Sequence, residues 1–303
     1  MAPSFSTIVP KYVDGSGTAS AVEQWHDHRD QSKAIKFGYR RLDSIWMPAS
    51  GQLNLLAGRP GSFKTTLAWN LAIELASQGK KILWVNLEPS CAQMFEMFAA
   101  KRARIPRMML GPHGSQLSLS QQGDMNSAVE DFKRLPIIFH FKDSDVHAVI
   151  ERARKVKYDA VFIDYIQLLT VKGRMSAPER IEMVCYALRD FAHSGGPFIM
   201  ALVQMNRSIE RDDESERLPK LSDLAGSAAL EATGDAVSFL FDVKRRGDMA
   251  HVSLYVVKNR IGPPDEFVTM NANGPLCDIH EMESGAPAPV HSSAADKERE
   301  RYP

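Results

Sequence analysis

From Gly51 onward, short apolar runs alternate with segments whose apolar residues recur at helical spacing. This alternation is the mark of parallel strands joined by crossover helices, because a strand covered on both faces is apolar throughout while a helix needs a single apolar stripe. The runs predict strands over 53–57, 82–87, 137–141, 160–164, 198–204, 237–243 and 251–258. The clearest helices fall over 65–77, 91–103, 146–156 and 178–192. In the last of these, Ile181, Cys185, Leu188 and Ala192 share one face and should pack on the sheet, which makes Cys185 a core residue and not a reactive thiol. The fold class expected is α/β, with a mostly parallel, twisted central sheet flanked by helices.

The ends read differently. Residues 1–17 carry Pro3, Pro10, Gly15 and Gly17 among few apolar residues and predict a flexible arm. A linker helix is expected over 18–34, opened by a Ser20–Glu23 capping box; with only Ala21, Val22 and Trp25 as apolar positions it needs something to pack on, its own domain or a neighbouring subunit. Residues 283–303 combine Gly285, Pro287 and Pro289 with a charged run from Asp296 to Arg301, the composition of a disordered tail. The domain proper is expected over 35–282.

Composition narrows the function classes. With 303 residues and 44% hydrophobic content the chain can bury one sizeable core. Basic and acidic residues number 37 each, so there is no global positive field to hold nucleic acid, and any such contact must come from local loops. Cys91, Cys185 and Cys277 lie far apart without CxxC spacing, which argues against a disulfide framework or a zinc site and suits a reducing cytoplasm. The start lacks a basic segment followed by an apolar run, and no stretch approaches the roughly 18 apolar residues of a membrane span, so no membrane association is expected. His26 and His28 flank Asp27 at alternate positions that diverge on a helix, which speaks against a metal pair.

The strongest chemical signal is Gly58-Arg59-Pro60-Gly61-Ser62-Phe63-Lys64-Thr65, followed by Thr66. A loop of this pattern curls backbone N–H groups around phosphates, sends a lysine to the β and γ phosphates, and offers a hydroxyl to Mg²⁺. It follows an apolar strand and opens a helix, as the motif requires. Phe63 is the departure, because it stands at the motif's second glycine. Either it adopts a compatible backbone angle with its ring turned away, or it distorts the cradle.

Two acids complement the loop. Asp164 ends the strand Ala160-Val161-Phe162-Ile163, where a carboxylate sits beside a phosphate site and can hold Mg²⁺ through water, although an acid at a strand end also serves as a turn signal. Glu88 closes the strand of residues 82–87 and is expected to polarise the attacking water of a hydrolysis, the alternative being an acid that opens a loop before Pro89.

Leu87-Glu88, Asp164-Tyr165-Ile166-Gln167-Leu168-Leu169 and Gln204-Met205-Asn206-Arg207 recur in this order in replicative helicases. The match continues through Leu221-Ser222-Asp223-Leu224, Ala228-Ala229-Leu230-Glu231 and Val257-Lys258-Asn259-Arg260-Ile261-Gly262-Pro263, with a lead-in at Phe37-Gly38-Tyr39-Arg40-Arg41-Leu42-Asp43. Over residues 35–280 the chain resembles the motor domain of the DnaB helicase family. The resemblance implies a RecA-like P-loop NTPase that binds ATP and Mg²⁺ between subunits of a homo-oligomer, a hexamer, and translocates on single-stranded DNA with 5′ to 3′ unwinding. It implies that Gln204 senses the γ-phosphate, and that Lys258 and Arg260 enter the neighbouring subunit's site, Arg260 as an arginine finger. DNA contact is implied for two loops, one with Lys172, Gly173 and Arg174, the other with Arg207, Arg211, Arg217 and Lys220; the second also carries Asp212, Asp213, Glu214 and Glu216, which oppose a phosphate backbone if they share its face. A primase or a helicase loader is the implied protein partner. The family's amino-terminal domain has no room in the first 35 residues, so a stand-alone motor of the phage or plasmid kind is expected, and Ala225 stands where an arginine commonly follows Ser-Asp-Leu. Two other functions fit the same residues: a nucleotide-gated assembly or loader-like protein with poor turnover, suggested by Phe63 and the neutral charge, and a recombinase-like filament ATPase.

Overall fold

The computed structural model describes residues 34–282 apart from 113, 115, 142, 206–217 and 225. The linker helix with its histidines, the tail, Arg207, Arg211, Arg217 and Ala225 therefore lie outside the described residues. In chain order the elements are α1 (Arg40–Trp46), β1 (Leu53–Gly58), α2 (Lys64–Ser77), β2 (Ile82–Asn86), α3 (Cys91–Ala103), α4 (Leu119–Arg134), β3 (Ile137–His140), α5 (Val146–Val156), β4 (Ala160–Asp164), α6 (Ala177–His193), β5 (Phe198–Gln204), α7 (Ser227–Thr233), β6 (Ala236–Arg246), β7 (Met249–Asn259), β8 (Glu266–Asn273) and β9 (Asp278–Glu281). Among the described residues no helix is long and apolar enough to cross a membrane.

All nine strands form one sheet in the order β3-β2-β4-β5-β1-β6-β7-β8-β9. The pairs from β3 to β6 are parallel, and those from β6 to β9 are antiparallel. Every residue of β1, β2 and β4 is buried, which explains why these strands read as continuous apolar runs. The period of two sends Leu56, Trp84, Phe162 and Met200 to a face covered by α2, α3 and α4. It sends Leu55, Val85, Ile163 and Ala201 to the opposite face, under α5, α6 and α7. On the first face Trp84 stacks on Phe162 (centroids 5.5 Å apart) and meets Trp69 of α2 edge-on at 5.0 Å, fixing the helix that carries the phosphate loop against the sheet. Cys185 packs into the second face as expected, and burial pushes its thiol up to about 12.

Several elements go beyond the sequence-based expectation. Helix α4 has only Ala128 fully buried, too thin an apolar stripe to register, and it starts from a capping box in which Ser118 and Gln121 bond each other's backbone N–H. Helices α1 and α7 have seven residues each, and β8 and β9 close the antiparallel edge. Strand β6 runs past the expected end at Val243, because Lys244, Arg245 and Arg246 pair through their backbones with His251, Ala250 and Met249 of β7. A hairpin with three successive basic residues thus reaches beyond the sheet's parallel core.

Candidate functional site

The parallel register puts the chemistry on one edge. Gly58 ends β1 between Gln204 of β5 and Leu240 of β6, and Asp164 ends β4 opposite Asn86 of β2. The Leu87 N–H donates to the Asp164 carbonyl at 3.2 Å, so Glu88 leaves the sheet beside Asp164 and stays exposed. Since the strand order is β2-β4-β5-β1, Glu88, Asp164, Gln204 and the loop after Gly58 follow one another along the carboxyl edge. Ligands of open α/β sheets bind outside this edge.

Within the loop each backbone demand is visible. A Cβ on Gly58 would lie 2.5 Å from Ser62 Oγ and 2.8 Å from the Leu240 carbonyl, so only glycine fits. Gly61 has φ 74°, and Phe63 has φ 68° with ψ 19°, in the left-handed region that the motif's glycine would occupy without strain. Of the two outcomes open to Phe63, the compatible backbone angle is the one found. Its ring packs half-buried against the first core face, under the guanidinium of Arg245. Pro60 and Gly61 form the turn, closed by the Ser62 N–H on the Arg59 carbonyl at 3.2 Å, Ser62 is buried, and the Thr66 carbonyl accepts from Asn70 Nδ2 at 2.8 Å.

Lys64 Nζ donates to the carbonyls of Gly58 and Arg59, both at 2.7 Å, so the ammonium rests on its own loop. Burial lowers its pKa to about 8, against the pull of Asp164 and Glu88. The Thr65 hydroxyl donates to Asp164 Oδ2 at 2.9 Å. Burial raises the Asp164 carboxyl to about 6; the Thr65 bond opposes the rise, Glu88 adds to it and Lys64 opposes it. A buried carboxylate joined to a hydroxyl, with a glycine cradle alongside, is a hard-oxygen donor set that fits Mg²⁺. Tyr165 follows Asp164 across a cis peptide bond, and burial raises its phenol pKa, with Glu88 adding to the rise and the Gln204 side chain opposing it. Gln204 is also held from behind: Gln167 Nε2 donates to its carbonyl at 3.1 Å and Gln167 Oε1 accepts from its N–H at 3.3 Å.

Lys258 and Arg260 lie at the other end of the sheet. Lys258 pairs with Val237 near the start of β6, which itself lies beside the start of β1. Lys258 Nζ donates to the Glu231 carbonyl at 2.5 Å, and Arg260 Nη2 to the Ala232 carbonyl at 2.9 Å, so both cations rest on the carboxyl end of α7, where the helix dipole favours them. Asp235 sits beneath them: its carboxylate accepts from the Leu53 N–H at 2.9 Å, faces His193 Nε2 at 3.0 Å and lies 3.7 Å from Arg260 Nε. The six residues of β1 separate this cluster from the phosphate loop by about 20 Å.

Of the expected DNA-contacting residues, Lys172, Gly173 and Arg174 are exposed in the loop that leaves the carboxyl edge after β4, with Lys172 Nζ 4.0 Å from Asp145. Lys220 is exposed, and its N–H is bonded to the Asp223 carboxylate. Sequence reasoning missed Arg245, which donates from Nη2 to the Gly61 carbonyl at 2.9 Å and lies 4.8 Å from the Phe63 ring centroid. The signal for it was the Lys244-Arg245-Arg246-Gly247-Asp248 run, a basic strand end followed by a turn.

The family described as DnaB-like helicase C terminal domain matches residues 34–274. The chain belongs to this family. Among similar proteins, a probable plasmid replicative DNA helicase of Chlamydia trachomatis serovar L2 is 29% identical over 244 residues, covering 76% of this chain and 51% of the relative. The replicative DNA helicase DnaB of Mycoplasma genitalium is 26% identical over 255 residues, covering 76% and 52%. This DnaB-like chain thus spans about half the length of the curated relatives it matches. One solved structure, of an ATPase domain, superposes with a TM-score of 0.78 at 21% identity, covering 89% of this chain and all of that one. A second, of a DnaB-like replicative helicase and its interactions with primase, gives 0.77 at 20% identity, covering 90% of this chain and 68% of the other. The α/β, RecA-like fold expected from the motifs is therefore the fold found.

Proposed function

We propose that residues 35–282 of this DnaB-like chain are an ATP-driven motor that hydrolyses nucleotide between copies of itself, assembled as a hexamer, and moves along single-stranded DNA in the 5′ to 3′ sense to unwind duplex. The observation that carries this reading is the division of residues between the two sheet edges. The phosphate loop, Glu88, Asp164 and Gln204 share one edge, while Lys258 and Arg260 stand about 20 Å away, farther than an arginine side chain reaches. A complete site then needs a second copy.

In this reading the loop N–H groups bind the phosphates, and Lys64 leaves the Gly58 and Arg59 carbonyls for phosphate oxygens, a stronger charge-assisted contact. Thr65 and Asp164 hold Mg²⁺, which supplies charge neutralisation on the phosphates. Glu88, exposed and beside Asp164, accepts a proton from the attacking water, whose oxygen bonds to the γ-phosphorus as the bond to the leaving diphosphate oxygen breaks. Gln204, backed by Gln167, reports on the γ-phosphate, and Arg260 of a neighbour meets the transition-state charge. DNA contact is assigned to Lys172, Gly173, Arg174 and Lys220, together with Arg207, Arg211 and Arg217. A primase or loader is the proposed partner, and the cytoplasm the proposed compartment.

ATP hydrolysis with and without single-stranded DNA, compared between wild type and Glu88→Gln, tests the proposal. A roughly 100-fold or larger loss of turnover with nucleotide binding retained is expected. Wild-type hydrolysis no faster than that of the variant sinks the catalytic assignment. The strained Phe63 and the self-bonded Lys64 favour a second reading, a nucleotide-gated assembly protein with slow turnover. Nucleotide-dependent assembly without DNA-stimulated hydrolysis would select it.

A further inference from the structure

A glycine at position 63 would reach the left-handed backbone of the phosphate loop unaided, whereas phenylalanine is strained there. Something in the fold must hold it. Besides the packing of its ring on the core face, two contacts from Arg245 do so: the guanidinium lies 4.8 Å over the Phe63 ring, and Nη2 donates to the Gly61 carbonyl at 2.9 Å. Together they tie the two positive-φ residues of the loop, Gly61 and Phe63, to one side chain on another strand. Arg245 arrives because the β6–β7 hairpin carries its backbone pairing past the end of the parallel core, after the register break between Phe241 and Lys244. Its side chain is exposed, so the contacts are not an accident of close packing.

We infer that Arg245 is a positioning residue of the phosphate loop, clasping the Phe63 ring and the Gly61 carbonyl so that the loop keeps its binding conformation before nucleotide arrives. The inference rests on the nucleotide-site reading above and gives Phe63 a role within it. The residue is not a defect in the cradle, because the hairpin compensates for the lost glycine. A direct contact between Arg245 and the nucleotide is the competing assignment, and it makes a different prediction.

A double-mutant cycle on full-length protein separates them. Binding of a fluorescent ATP analogue is measured for wild type, Arg245→Ala, Phe63→Gly and the double variant, alongside hydrogen exchange of the loop amides without nucleotide. The clasp predicts that Arg245→Ala weakens binding about 10-fold in the wild-type background and less than about twofold beside Phe63→Gly, since coupled residues are non-additive. Arg245→Lys should recover part of the loss, as an ammonium can sit over the ring but lacks the planar fork. The loop amides of residues 59 and 61–64 should exchange faster in Arg245→Ala while the rest of the domain is unchanged. Equal weakening in both backgrounds overturns the clasp and assigns Arg245 to the nucleotide; no weakening in the wild-type background also overturns it. Should wild type bind no nucleotide, the site reading fails, and exchange alone decides: unchanged loop amides in Arg245→Ala then remove the clasp as well.

Discussion

At the carboxyl edge of the sheet, burial pushes both Lys64 and Asp164 toward their neutral forms, and the lysine satisfies itself on loop carbonyls. At the amino edge the buried carboxylate Asp235 is surrounded by donors, from the Leu53 N–H, His193 and Arg260. The same kind of group is thus left short of compensation in one place and fully served in the other. The difference teaches where the molecule expects something from outside. In the proposed reading a desolvated acid and a self-bonded cation beside a glycine cradle await phosphate and metal, whereas the amino-edge cations rest on a helix end, to be used by another copy.

The largest effect that can break this contrast is the loss of the resting cation. If Arg260 acts in a neighbour's site, Arg260→Ala should lower turnover by roughly 1,000-fold while nucleotide affinity changes only a few-fold. Lys64→Ala should abolish binding in its own subunit. Steady-state hydrolysis of a mixture of the two variants should recover part of the wild-type rate, because some interfaces then pair an intact loop with an intact arginine. Failure of mixing to restore any rate would place Arg260 in cis and remove the division of labour between the edges.

The carboxyl edge offers a thermodynamic counterpart. Asp164 has a folded-state pKa of about 6 against an ordinary 3.8, so ionisation is penalised in the fold. For an acid shifted upward the penalty is absent below pH 4 and complete above pH 6, so metal-free stability is lost as pH rises through that window. At about 1.4 kcal/mol per unit the penalty approaches 3 kcal/mol. Asp164→Asn keeps an acceptor for the Thr65 hydroxyl and carries no charge. Urea unfolding should find the variant more stable than wild type by up to about 3 kcal/mol at pH 7.5 and equal to it near pH 4. Added Mg²⁺ should increase the stabilisation that nucleotide gives wild type and add little to that of the variant, whose loop and Lys64 still bind phosphate. A variant less stable than wild type at pH 7.5 would show that the carboxylate is well compensated and that the two edges do not differ in this respect.

What was legible in the sequence follows from the same physics. Strands β1, β2 and β4 announce themselves because both faces are buried, and the phosphate loop because its glycines, Lys64 and Thr65 follow such a strand directly. The expected placing of Glu88, Asp164 and Gln204 on one edge is a consequence of parallel register, which those runs already imply. Helix α4 was not legible, since one buried alanine and a capping box leave no periodicity. Nor was the reach of β6 beyond Val243, where backbone pairing with β7 and not side-chain character holds Lys244, Arg245 and Arg246 in a strand. Arg245 was hidden with it, although it explains how Phe63 is tolerated. The resting partners of Lys64, Lys258 and Arg260 are backbone carbonyls, which no pattern of side chains reveals.

The smallest expected effect sharpens the account of the amino edge. Asp235 serves Arg260, but Arg260 is also held by the Ala232 carbonyl, and its own N–H bonds the Asp235 backbone carbonyl at 2.9 Å. Asp235→Asn keeps an acceptor for the Leu53 N–H and replaces the charged oxygen facing Arg260 with a neutral amide nitrogen. It should cost about 1 kcal/mol in thermal or urea unfolding, the scale of one charge-assisted bond weakened to a neutral one. Turnover should change by less than about threefold, because the arginine stays on the helix end and remains free to leave it. A loss of turnover comparable to that of Arg260→Ala, with stability unchanged, would make Asp235 part of the apparatus that presents the arginine, and the amino edge would then be a working half of the site and not a resting place for its cation.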